Sequence, residues 1–202
     1  MEDLVRLRAK FAADARAHGI ELAWALVKWP PGVPANRGRA VAAQAEAISA
    51  LRAVADSPLG AGATARQDLV YFLSNYAHMR CSAPSATPDM LATALDAATE
   101  AVSIQHGILE GLERSDLPVR QEEIQDAHDT LVVALVALAT ASLECGQVTQ
   151  ARAALDEATQ SARRGRAPVV AETLSAIREL RKQVNPLRLL PPVEASAPIA
   201  RT

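Results

Sequence analysis

Residues 151–160 read ARAALDEATQ, and the same ten-residue pattern is written twice before, as AVAAQAEAIS at 40–49 and ALDAATEAVS at 94–103. Stacked, the three share Ala at the first place (Ala40, Ala94, Ala151), the fourth (Ala43, Ala97, Ala154) and the eighth (Ala47, Ala101, Ala158). They also share Glu at the seventh place (Glu46, Glu100, Glu157). Steps of three and then four residues put the alanines on one stripe of an α-helix. A stripe of methyl groups lets a neighbouring helix approach to the short end of the usual interaxial range.

The rest of the chain agrees with helices throughout. Half of the 202 residues are apolar, but Phe, Tyr and Trp occur only twice each and β-branched residues form no alternating runs, so strand signals are missing. Alanine is the best helix former, and the expected class is all-α. The net charge of −2, with both signs mixed along the chain, gives no overall attraction to nucleic acid or an anionic membrane. Cys81 and Cys145 have neither CxxC spacing nor a Cys-dense context, which reads as reduced thiols of a cytoplasmic protein. Cys81 is expected to be the more exposed of the two. The apolar run LVVALVALATASL (131–143) is shorter than a membrane span needs and is read as a buried helix.

Turn signals divide the chain. Leu4, Leu7, Phe11 and Ala15 recur at helical spacing, and a stretch from Ile20 to Trp29 follows Gly19, which is read as a kink or break, before Pro30 and Pro31. A helix is expected from about Arg37 to Ala55, ended by SPLGAGA (57–63), with the next helix holding Leu69 to Cys81. After the loop SAPSATP (82–88), helices are expected through the second decapeptide to about Leu112, over 119–145, and from Gly146 to Arg164 or Gly165. A last helix is expected at about Val169–Gln183. The reading is thus one helical domain over 1–184 and a Pro-rich tail over 185–202, expected to be disordered.

Around the third copy, Leu135, Leu138-Ala139, Gly146, Val148, Ala151, Leu155 and Ala158 fall in the order and spacing of a tetratricopeptide repeat, and the chain resembles that family. The second copy resembles it at Leu73, Tyr76, Ala77, Ala94, Ala98 and Ala101-Val102, with about five extra residues and Pro84 in place of the turn glycine; the first does so mainly at Ala40 and Ala47-Ile48. The copies begin 54 and 57 residues apart, from Ala40 to Ala94 to Ala151, against a family period of about 34. The resemblance therefore covers about residues 65–165. It implies stacked antiparallel helical hairpins in a short right-handed solenoid, with the helix after Pro168 as a C-terminal cap. It also implies a scaffold that binds a protein or peptide partner in a concave groove, with no catalysis and no cofactor. Carried over residue by residue, the groove would present Tyr71, Ser74, Asn75 and His78 from the second copy. From the third it would present Val133, Val136, Ala137, Thr140 and Glu144. No Lys or Arg stands at these positions, so an apolar or polar uncharged ligand segment is expected.

Other chemistry is thinly represented. EEIQDAHD (122–129) surrounds His128 with carboxylates and suggests a distant alternative, a metal or acid–base site in a helical-bundle enzyme, although acidic residues also suit a helix N-terminus just after Pro118. Arg163, Arg164, Arg166, Arg178, Arg181, Lys182 and Arg188 outnumber Glu172 and Glu179, which gives a nucleic-acid-associated regulator as the runner-up. No phosphate-cradling glycine loop is present.

Overall fold

The computed structural model describes residues 2–28, 37–56, 60–115, 119–165, 175, 177–180 and 182. Among them lie α1 (Glu2–Ala13), α2 (Ala15–Val27), α3 (Arg37–Ala55), α4 (Gly60–Cys81), α5 (Pro88–Glu113), α6 (Gln121–Glu144) and α7 (Val148–Ala162), and no strand. Of the last expected helix, residues 175, 177–180 and 182 are described and helical; Ile177 is buried in the core and Leu180 packs against it. The tail at 185–202 lies outside the described residues.

The break between α1 and α2 falls at Asp14, not at Gly19. Asp14 is extended (φ −146°), and its carboxylate accepts a hydrogen bond from the Ala17 amide at 3.1 Å. That bond satisfies one of the N–H groups a helix start leaves without an intrahelical partner. Gly19 continues α2 because the close approach of α3 requires it: a Cβ there would fall inside contact distance of Val54 Cγ2 and 2.9 Å from the Ala50 carbonyl oxygen.

A second difference lies at the start of α4. SPLGAGA is turn-rich by composition, yet Gly60 to Ala63 are helical. Ala65 has no solvent exposure, and packing of the first turns offsets the roughly 1 kcal/mol that each helical glycine costs relative to alanine.

Elsewhere the local signals act as expected. Thr87 caps α5 by accepting from the Met90 amide, with Pro88 following, where a missing N–H costs nothing. Between α6 and α7, Gly146 takes the left-handed conformation (φ 73°). The Gln147 amide then reaches the Ser142 carbonyl at 2.7 Å, and the Gly146 amide reaches that of Leu143 at 2.9 Å. This pair of bonds closes a helix C-terminus and needs a residue without the Cβ penalty.

Each helix packs on the next along the chain, and α4 packs in addition on α6, with a smaller contact between α2 and α4. α3 and α4 run antiparallel: Gln44 Nε2 donates to the Phe72 carbonyl at 2.9 Å, while at the other end Arg66 donates to the Ala55 carbonyl at 2.9 Å. The alanine stripes of the second and third copies lie inside, whereas in the first Ala47 is buried and Ala40 and Ala43 are half-buried. Ala47, Ala94, Ala98, Ala101, Ala151 and Ala158 have no exposure, beside larger buried side chains such as Leu51, Phe72, Leu135 and Leu155.

The shared glutamates have a structural role that spacing does not reveal. Glu46 pairs with Arg8 of α1 at 2.6 Å, Glu100 with Arg52 of α3, and Glu157 with His106 of α5 at 2.6 Å. Arg52 stands six residues after Glu46, and His106 six after Glu100. In α3 and in α5, one helix therefore supplies both the glutamate that reaches back to an earlier helix and the cation or imidazole that reaches a later one.

Candidate functional site

α4 and α6 contact each other, yet a cleft of about 500 Å³ opens between parts of the two helices. Its α4 wall is formed by Gln67, Asp68, Val70, Tyr71 and Ser74, and its α6 wall by Glu123, Asp126, Ala127, Asp129, Thr130 and Val133. Gln105 and Leu112 of α5 complete the lining. Steps of three and four residues along each wall keep these side chains on one helix face.

Two large apolar side chains of the cleft are open to solvent: Tyr71 is 48 % exposed and Val133 47 %. Tyr71 is held by an aromatic cluster, stacked on Trp24 with centroids 6.0 Å apart and edge-on to Phe72 at 5.8 Å. Trp24 Nε1 in turn donates to Asp68 at 3.0 Å. Burial pushes the Asp68 carboxyl above its ordinary range, and the Trp24 hydrogen bond pulls it partly back.

Of the groove positions expected from the sequence, Tyr71, Ser74 and Val133 come together in this cleft. Ser74 is nonetheless buried, and its hydroxyl donates to the Val70 carbonyl at 2.8 Å. Asn75, His78, Val136, Ala137, Thr140 and Glu144 do not line it. Val136 and Ala137 pack against the core, and the Thr140 hydroxyl donates to the Val136 carbonyl at 2.9 Å. His78 and Glu144 are exposed, and Asn75 is half-buried.

The carboxylates Asp68, Glu123, Asp126 and Asp129 were not among the expected groove residues. By sequence the three on α6 belong with His128 or with the helix start, since EEIQDAHD by itself does not say which helix it faces. Their step of three residues was legible; their juxtaposition with Asp68 was not.

His128 turns away from this cleft's carboxylates in its hydrogen bonding. It is buried, its Nδ1 lies 2.9 Å from Ser161 Oγ, and its backbone carbonyl also accepts from that hydroxyl at 3.3 Å. Burial and the nearby Arg164 lower its pKa, against the opposing pull of Glu113 and Asp129. Among the described residues, no three His, Cys, Asp or Glu side chains come together to hold a metal ion. The geometry makes His128 a bridge within the α6–α7 contact.

The cysteines exchange the order expected from sequence: Cys81 is buried and Cys145 half-buried. Both are free. Burial, followed by the charges of Glu144 and Cys145, pushes the Cys81 thiol up to about 11, which leaves it protonated and a poor nucleophile at neutral pH. The Cys81 side chain falls on the inward face of α4.

On the basic C-terminal side, Arg163, Arg164 and Arg178 are exposed, and Lys182 pairs with Glu179 at 2.8 Å. Arg166, Arg181 and Arg188 lie outside the described residues. α6 is long and apolar enough by composition to cross a membrane, yet Leu131, Val132, Leu135 and Leu138 are buried in the fold, and α4, α5 and α7 pack against it.

What the fold and the cleft define is an all-helical protein of successively packed helices. No protein-family model, no curated protein and no solved structure matches the chain.

Proposed function

We propose that the protein is a non-catalytic interaction module, a tetratricopeptide-like solenoid that holds a peptide or helix of a partner protein between α4 and α6. The observation that carries this reading is the cleft itself, where Tyr71 and Val133 stand half-exposed side by side with buried core. Apolar side chains left open in a concave site mark interaction surfaces. Two further features support it. Taken as the pairs α2–α3, α4–α5 and α6–α7, the first helices touch one another, α4 with α6 and to a lesser extent with α2. The repeated glutamates link the second helices, α3 to α5 and α5 to α7. Free cysteines accord with a reducing compartment such as the cytoplasm.

The test is a peptide-display selection on the full chain, followed by binding to a Tyr71→Ala/Val133→Ser variant. Selected peptides should lose binding while stability falls by less than about 2 kcal/mol, since both side chains are half outside the core and Tyr71 gives up its ring contacts with Trp24 and Phe72. Peptides that bind the variant unchanged would refute the proposal. So would a stability loss of about 2 to 5 kcal/mol, the cost of truncating a core side chain.

A further inference from the structure

We infer that Trp24 and Asp68 are positioning residues for partner binding: together they hold the Tyr71 ring as a rigid platform in the α4–α6 cleft, and α2 thereby governs a site it does not line. This rests on the peptide-binding reading above and specifies which side chains outside the contact set its affinity. Tyr71 is 48 % exposed, and a side chain so open samples several χ1 rotamers unless its neighbours select one. Here they do. The ring stacks on Trp24 with centroids 6.0 Å apart and planes 21° from parallel, and it meets the fully buried Phe72 edge-on at 5.8 Å. Trp24 is itself edge-on to Phe72 at 5.2 Å, so the three rings close a triangle.

One polar bond pins that triangle. Trp24 Nε1 donates to Asp68 Oδ2 at 3.0 Å. Asp68 and Tyr71 stand three residues apart on α4, which places them on one helix face. An indole has a single donor and no acceptor, so the carboxylate selects the orientation of the ring on which Tyr71 stacks. Without that bond Trp24 keeps apolar neighbours, but nothing polar chooses its plane. Among the described residues that line the cleft none comes from α2, so Trp24 acts through Tyr71 and not by touching the partner. A ring ordered in advance spares the partner the entropy of ordering it, the property that makes rigid aromatic side chains strong anchors in binding sites.

The test reads Tyr71 in two independent ways. In the free chain, Tyr71 χ1 couplings measured by NMR should report one rotamer in the wild type. They should report averaging in Asp68→Ala and in Trp24→Phe, which keeps an aromatic ring but has no N–H. Averaging already in the wild type, or a single rotamer in both variants, would overturn the inference. The probe for binding is a display-selected peptide whose affinity depends on Tyr71. Either variant should weaken it about three- to tenfold, the cost of ordering one side chain, and the two together no more than either alone. Asp68→Asn, whose side-chain oxygen still accepts from the indole, should restore both the rotamer and the affinity. Weakening by Asp68→Asn equal to that by Asp68→Ala would make the charge and not the bond the cause, and the inference would fail. A lowered melting temperature with unchanged affinity would reduce the bond to a structural contact, with the same consequence, and the peptide-binding reading would stand. If no selected peptide depends on Tyr71 and Val133, both readings fall together.

Discussion

Replacing Gly19 and Gly107 separately by alanine should move stability in opposite directions, although both glycines lie inside helices. In an open helix interior, Gly→Ala gains about 0.8 to 1 kcal/mol from backbone entropy. Gly107 meets that condition, since a Cβ there finds nothing within 4 Å. At Gly19 the same gain is opposed, because the added methyl would press on Val54 Cγ2 and stand 2.9 Å from the Ala50 carbonyl oxygen. A backbone atom cannot swing aside as a side-chain tip can, so the α2–α3 contact must open. Overpacking of this kind costs about 1 to 3 kcal/mol. The propensity gain is common to both sites and cancels, so the two variants should differ by that overpacking cost alone. For a chain of this size each kcal/mol shifts the melting temperature by about 2 to 4 °C, which puts the variants about 2 to 12 °C apart. Urea denaturation followed by circular dichroism measures the difference directly. Equal shifts in the same direction would refute the close α2–α3 approach.

Two other outcomes follow from the polar contacts. His128 is held neutral in the fold with its pKa below the ordinary value of 6.5. Its contribution to stability is therefore complete above pH about 6.5 and is lost as pH falls toward the lowered folded value, by at most about 1.4 kcal/mol per pH unit. His128→Gln should flatten this part of the pH–stability curve, and an unchanged slope would count against the buried neutral imidazole. A double-mutant cycle with Arg52→Ala and Glu100→Ala should give a coupling of about 0.2 to 1 kcal/mol, the range of partly exposed pairs. A coupling indistinguishable from zero would remove the ladder of glutamates as a stabilising element.

The helical class, the alanine stripes and most helix ends were legible in the sequence, because they rest on short-range rules. Side-chain spacing of three and four residues, Pro88 after Thr87, and Gly146 after Cys145 act within a turn or two of backbone. The same local rules misplaced the first break, since a glycine is locally permissive whether it ends a helix or admits a neighbour. Only the approach of α3 separates those roles at Gly19, and only the carboxylate of Asp14 supplies the cap. The repeat of glutamates was visible in sequence, but its meaning was not: Glu46, Glu100 and Glu157 meet partners 38, 48 and 51 residues away. The cleft has the same character. Tyr71 and Val133 could be placed on helix faces by periodicity, whereas the gathering of Asp68 with Glu123, Asp126 and Asp129 around Gln105 depends on how α4, α5 and α6 pack. Periodicity fixes the direction of a side chain relative to its own helix axis; which helix stands opposite is set by the summed burial of all of them.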